Sequence, residues 1–423
     1  MPAGAPDHRP QRLQRQRLLL TLAATTLIVL LALFLWRGQQ PPPIRIGALH
    51  SLSGTMAISE SALVDALRLA VEEINADGGL LGRPVELIVA DGRSDWGTFA
   101  VEAERLIGEE KVSALFGCWT SACRKAVKPV VERHRHLLFY PVQYEGMELS
   151  PHIVYTGTAP NQQIIPATRW AFEHFGKRIF LVGSDYVFPR AANQIVRDLA
   201  MASGAQILAE RYLPLGATPD AALIEEILRL KPDLILNTLN GDSNLPFFRA
   251  LRDARLGTVP VLSFSVAEVE LAAIGKEAFH PAHYAAWSYF QSLPNDANRR
   301  FVAAFKARFG ADRVTSDPIE AAYVGVKLWA QAVGEAGTDE PEHVNRAIGR
   351  QSIAGPSGVM AVDAGTRHLW KPFRIGRARE DGQFAQVVAA EESIRPTPFP
   401  GYRSVADWLA LLRDLEVRAE HQP

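Results

Sequence analysis

Trp119, Thr120 and Ser121 stand between an apolar run, Val112 to Phe116, and a stretch that reads as a helix. One aromatic face and two hydroxyls at the mouth of a strand-to-helix turn suit a small polar guest. They equally suit a helix cap, because Thr and Ser hydroxyls accept from the first helical N–H groups. Similar sets follow the other apolar runs. Ser51, Ser53, Gly54, Thr55 and Met56 follow IRIGAL, and Tyr140, Pro141, Val142, Gln143, Tyr144 and Glu145 follow HLLF. Asp185, Tyr186 and Phe188 follow RIFLV, and Asn240 to Asn244 follow DLILN. Ser265 and Glu268 follow VLSF, and Trp287 and Tyr289 lie in AAWSYFQS. Apolar walls with a few placed hydrogen-bonding groups make a small-molecule pocket. Each position alone reads more readily as a cap or a packing residue. Six strand ends of one character shift that balance towards a binding site.

Signatures of catalysis are missing. The chain has no GxSxG elbow, and no GxxxxGK[ST] loop or HExxH pair. GGLLG at Gly78 to Gly82 follows a helix, so it is no dinucleotide fingerprint. The two cysteines, Cys118 and Cys123, have no partners at zinc-ligand spacing. They read as a buried thiol at Cys118 in preference to a tight bridge. His134 and His136 read as solvated. The expectation is a non-enzyme with no cofactor and no metal. The formal net charge of −1 carries no basic stripe of the kind nucleic-acid binding leaves.

The elements that must hold these residues alternate. Strands are expected at Ile44 to Leu49, Pro84 to Asp91, Val112 to Phe116, HLLFYPV, HIVYTG, Arg178 to Asp185, QILAERYLP, Asp233 to Leu239 and PVLSFS. Helices of ten residues or more fall between most of them. The first carries its apolar residues at Leu63, Ala66, Leu67, Ala70, Val71 and Ile74, at helical spacing. Strands alternating with helices imply parallel sheets covered on both faces, with ligands at the carboxyl ends of the strands. A chain of 423 residues exceeds one small core. The expected fold class is α/β, with two doubly wound lobes facing across a cleft.

The start of the chain has its own reading. Arg9, Arg12, Arg15 and Arg17 precede Leu18 to Trp36, 19 residues without a charge. That length roughly matches a hydrocarbon core of ~30 Å at 1.5 Å rise per residue. No small-x-small cleavage site closes the run. An Arg-rich cytoplasmic tail (1–17), an uncleaved transmembrane anchor (18–36) and a stiff Pro-rich spacer (37–43) are expected, with the rest exported.

Longer motifs then add a family. HSLSGTMAISE, FGCWTSACRKAV, FYPVQYEGMELSP, APNQQIIPA, GSDYVFPRAANQIV, NTLNGDSN, EAAYVGVKLW and WKPFRIGR run in order from Ile44 to about Trp408. Over these stretches the chain resembles the branched-chain-amino-acid type of periplasmic binding proteins, a type I two-lobed clamp. The urea and short-chain amide binders are the nearest in pattern. The resemblance implies a first lobe of 44–156 plus 298–353 and a second of 157–288 plus 355–423. It implies that Trp119 walls the pocket and that Thr120 and Ser121 bind the amide. It implies that Tyr140, Pro141, Val142, Gln143 and Tyr186 complete the site, and the strand ends add Ser53, Thr55, Asp185, Asn240, Glu268 and Trp287 as further candidates. The partner implied is an inner-membrane ABC permease. A tethered sensor and a branched-chain amino acid binder stand as alternatives. In the amino-acid reading Glu268, Glu145 or Asp185 would answer the ligand's ammonium.

Overall fold

The computed structural model describes residues 18–29, 41–390 and 392–420. The chain divides into two compact units, Met1–Pro43 and Ile44–Pro423. In the first unit, residues 18–29 are helical with exposed side chains. The remainder of the expected span, residues 30–36, and the Arg-rich tail lie outside the described residues. Among the described residues no helix is long and apolar enough to cross a membrane.

The second unit holds two sheets. β1 (Ile44–His50), β2 (Val85–Asp91), β3 (Leu115–Gly117), β4 (Leu138–Tyr140) and β5 (Ile153–Tyr155) form one, in the order β2-β1-β3-β4-β5, all parallel. β6 (Arg178–Ser184), β7 (Gln206–Leu213), β8 (Leu234–Thr238), β9 (Val261–Ser263) and β10 (His283–Trp287) belong to the other. β11 (Ser352–Gly355) and β12 (Gly358–Ala361) form a separate hairpin, and β13 (Arg374–Ala378) and β14 (Phe384–Ala389) close the larger sheet. Its order is β14-β13-β10-β9-β8-β6-β7. Contrary to the all-parallel expectation, β13 runs antiparallel to β10, and β14 antiparallel to β13. The link between β13 and β14 is a short turn, and only antiparallel neighbours can be joined that way.

Each sheet organises a core. Ile46, Leu63, Leu67, Leu115, Phe116 and Phe139 anchor the first, and the helix Asp317–Ala336 covers it through Val324, Leu328 and Trp329. Ile179, Leu181, Ile195, Leu236 and Leu262 anchor the second. The C-terminal helix Val405–Glu420, which the repeat of strand and helix does not announce, lays Trp408 and Leu412 against it. Met360, Val362 and Leu369 pack in the first core, whereas Phe373 packs in the second. The final crossover therefore lies between Leu369 and Phe373, later than the expected break near 353–355. The hairpin β11–β12 serves the first lobe.

Candidate functional site

The carboxyl ends of β1, β3 and β4 deliver the first lobe's groups to the cleft, and those of β6, β8 and β9 the second's. Trp119 donates its indole Nε1–H across the cleft to Asn240 Oδ1 at 3.1 Å, both residues being buried. Gln143 Nε2 donates to Phe264 O at 2.9 Å and to Ser265 Oγ at 3.0 Å. Thr55 Oγ1 donates to Asp242, and Ser59 Oγ to Glu270 Oε1 at 2.6 Å. These five hydrogen bonds, from four side chains, join the lobes. Gly241, at φ +63°, sits so close that a Cβ would lie 2.7 Å from Thr55 O.

The two hydroxyls beside Trp119 have local partners. Thr120 caps the helix Ser121–Arg133, accepting from Cys123 N at 3.1 Å. Ser121 Oγ donates to Glu145 Oε2 and accepts from Arg124 Nη1 at 3.1 Å. Tyr140 donates its hydroxyl to Trp119 O at 2.6 Å. Cys118 and Cys123 are joined in a disulfide with a Cα–Cα distance of 5.6 Å. The expected free thiol is corrected: the strand-to-helix turn brings residues five apart within bridging distance.

Beneath this turn lies a cluster that sequence reasoning missed. Arg124 is fully buried, pairing with Glu145 at 3.1 Å and with Glu148 at 2.8 Å. Its guanidinium lies over the rings of Tyr140 and Tyr144. Tyr155 donates to Glu148 Oε1 at 2.8 Å. Burial alone would raise the Glu148 carboxyl, but Arg124, Lys128 and Lys125 outweigh it and hold it down at about 2. Arg124 lies on a helix and Glu145 and Glu148 in the irregular segment after β4, so only the tertiary structure discloses this set. His136 is likewise corrected: it is buried and bonds Val112 O at 2.7 Å.

Tyr186 begins the helix Val187–Ser203 and is buried. Burial raises its hydroxyl pKa, and Tyr140 and Glu145 of the facing lobe reinforce the shift while Arg124 opposes it. Its ring lies 6.3 Å from that of Phe188. Pro141 and Val142 are buried, and Val142 belongs to the first core.

The other candidates stand apart. Ser53 is exposed and donates to Asp91 at 2.7 Å. Asp185 pairs with Arg190 at 2.6 Å. Trp287 donates to Val266 O and packs with Leu271, Phe290 and Phe384 inside the second lobe. Glu268 accepts from Gln291 N at 2.7 Å, and burial, with Asp317 and Glu270 nearby, pushes its carboxyl up to about 8.

The charges near the Trp119 turn are therefore matched within the protein. Gln143 Oε1 and Gln163 Oε1 are buried there without a hydrogen bond, and Glu268 Oε2, on the second lobe, is likewise unbonded. Among the described residues, no group of three or more His, Cys, Asp and Glu is arranged to hold a metal ion.

Two α/β lobes closed over such a cleft make a bilobed clamp. Residues 44–405 match the family model described as periplasmic binding protein domain, and the chain belongs to that family. Leu/Ile/Val-binding protein homolog 8 of Brucella abortus (strain 2308) is 23% identical over 387 residues, 84% of this chain and 93% of that protein. Limonene hydroxylase of Geobacillus stearothermophilus is 33% identical over 116 residues, 27% of this chain, and the match covers only 21% of that relative's length. A solved solute binding protein of an ABC transporter from Rhodopseudomonas palustris HaA2, in complex with p-hydroxybenzoic acid, has the same fold. Its TM-score is 0.76 at 23% identity, over 84% of this chain and 98% of that one.

Proposed function

We propose that this protein is an extracytoplasmic solute-binding protein that takes urea or a short-chain amide between its lobes and presents it to an ABC permease. One observation carries the ligand class: Gln143 Oε1, a buried acceptor at the lobe junction without a hydrogen bond, is neutral. A planar neutral molecule rich in N–H groups answers it without a counter-charge. Trp119, Tyr140 and Tyr186 supply flat walls. A buried ammonium would need an uncommitted carboxylate. Glu145 is held by Arg124, Asp185 by Arg190, and Glu268 keeps its proton up to about pH 8. Those pairings weigh against an amino acid.

A branched-chain amino acid remains the second reading, favoured by the name of the Brucella relative that matches 84% of this chain. The test is Gln143→Leu under calorimetric titration. On the amide reading, urea binding weakens by at least about tenfold, the cost of one buried hydrogen bond. Unchanged urea affinity would remove Gln143 from the site.

The disulfide supports export, since such bonds persist in oxidising compartments. We read Leu18 to Trp36 as the tether to the inner membrane, supported by its uncharged length and by the helix at residues 18–29. A tether would place the clamp beside a permease, and it would equally serve a signalling neighbour. Partition of the full chain with membranes after carbonate washing is the expected outcome. Recovery in the soluble fraction would refute the tether.

A further inference from the structure

We propose that the Cys118–Cys123 disulfide is the positioning element of the ligand site: it holds the turn carrying Trp119, Thr120 and Ser121 in its binding geometry, so that breaking it weakens ligand capture while the lobe stays folded. The inference rests on the reading of the Trp119 turn as the ligand site.

The bridge closes a ring of six residues, Cys118 to Cys123, and the three candidate ligand contacts are the first three inside it. Both sulfurs are in the interior, with Cys118 at 0% and Cys123 at 1% exposure. Each end of the ring is fixed to a rigid element. Cys118 N donates to Leu49 O of β1 at 3.0 Å, and Gly117 lies so close to that strand that a Cβ would sit 2.1 Å from the same oxygen. Cys123 lies in the first turn of the helix and donates its N–H to Thr120 Oγ1.

Between these anchors the backbone takes an unfavourable path. Cys118 has φ +65°, a left-handed conformation that a residue with a Cβ rarely adopts and that needs support from its surroundings. The bridge supplies that support covalently. The timing of closure gives this weight. The indole's hydrogen bond is to Asn240, on the opposite lobe. Opening the clamp removes that bond at the moment when ligand must enter. The bridge and the Tyr140 hydroxyl on Trp119 O lie within one lobe and persist. A preformed turn spares the ligand the cost of ordering it. A ring this short constrains the unfolded chain less than a long one, so the effect is local to the turn.

The test uses the full chain in mild detergent, in four forms: oxidised, reduced by dithiothreitol, Cys118→Ser/Cys123→Ser, and Cys118→Gly/Cys123→Ala. Reduction delivers two electrons and two protons to the bridge as dithiothreitol closes to its cyclic disulfide. The double variants cover slow attack on buried sulfurs, and the glycine variant also removes the left-handed cost. Hydrogen exchange without ligand should quicken across residues 117–124 alone in all three unbridged forms. Urea affinity should fall by about tenfold or more, with the melting temperature shifted by only a few degrees. Equal exchange and equal affinity in all four forms would overturn the proposal. Loosening spread through the whole first lobe would overturn it too, because the bridge would then be a global staple. If the oxidised chain gives no heat with urea, the amide reading fails, and the same four forms titrated with leucine decide the positioning role: weaker leucine binding in the unbridged forms supports it and equal binding overturns it.

Discussion

Two buried charge clusters flank the clamp, and they are built differently. Around Arg124 every contact is short: Glu145, Glu148, Ser121, Tyr155 and two aromatic faces enclose one guanidinium. At the crossovers, Lys371 meets Asp317 at 3.7 Å and Glu320 at 3.8 Å, and donates to Thr156 O at 3.0 Å. There Asp317 Oδ1, Glu320 Oε2 and Glu268 Oε2 have no hydrogen bond. A fully satisfied buried network rigidifies its surroundings, while a partly satisfied one is costly and easily rearranged. The first cluster underpins the Trp119 turn. The second ties Lys371, in the last crossover, to Thr156, where a clamp must bend.

The largest expected effect is on the tight cluster. Arg124→Met leaves Glu145 buried without its cation and Glu148 with only Lys128 at 3.8 Å and Lys125 at 4.0 Å, and should destabilise the protein by about 3–5 kcal/mol. Guanidinium unfolding measures it, since urea is the proposed ligand. A loss below about 1 kcal/mol would show that the cluster is well hydrated and not a rigid base.

The loose cluster should answer in the opposite direction. Glu268, with its folded carboxyl at about 8 against 4.5 as the ordinary value, keeps a proton that the unfolded chain releases. Its contribution therefore falls as pH rises from about 4.5 to 8. Glu268→Gln still accepts from Gln291 N and removes that slope, a gain on the order of 3 kcal/mol at pH 7. A stability–pH profile parallel to that of the parent protein would contradict the assignment.

Trp119→Ala should then remove detectable urea binding, a loss on the order of 3 kcal/mol for a buried aromatic contact, with the folded state retained. Unchanged affinity would mean that the pocket lies elsewhere. Gly241→Ala should act on closure and on stability together, because its methyl would meet Thr55 across the cleft and its φ of +63° strains any residue with a Cβ. Affinity weaker by about tenfold with a lowered melting temperature is expected, within the 1–3 kcal/mol typical of overpacking. Unchanged affinity would contradict the close approach of Gly241 to Thr55 in the closed clamp.

The contrast also separates what the residues alone disclose from what they do not. Strand ends rich in Trp, Tyr and Gln place the cleft, because a parallel sheet sends all its carboxyl ends one way. Trp119 and Gln143, named from the sequence, do meet the opposite lobe. Trp287 does not, because its strand buries it within one lobe, and an aromatic at a strand end reads the same in either place. Arg124 and Glu148 lie 24 residues apart and carry no pattern that announces a buried pair. The bridge was hidden for the opposite reason: a spacing of five is common by chance, and only the left-handed Cys118 brings the sulfurs together. The last crossover was misplaced because a short hairpin, β11–β12, has no compositional break around it.

Calorimetric titration of the full chain with urea, formamide, acetamide and leucine in parallel separates the proposed neutral amide from a zwitterion. Saturable heat with urea or a short amide and none with leucine is expected. Heat with leucine alone would overturn the amide proposal, and would require a carboxylate within the protein to turn towards the ligand.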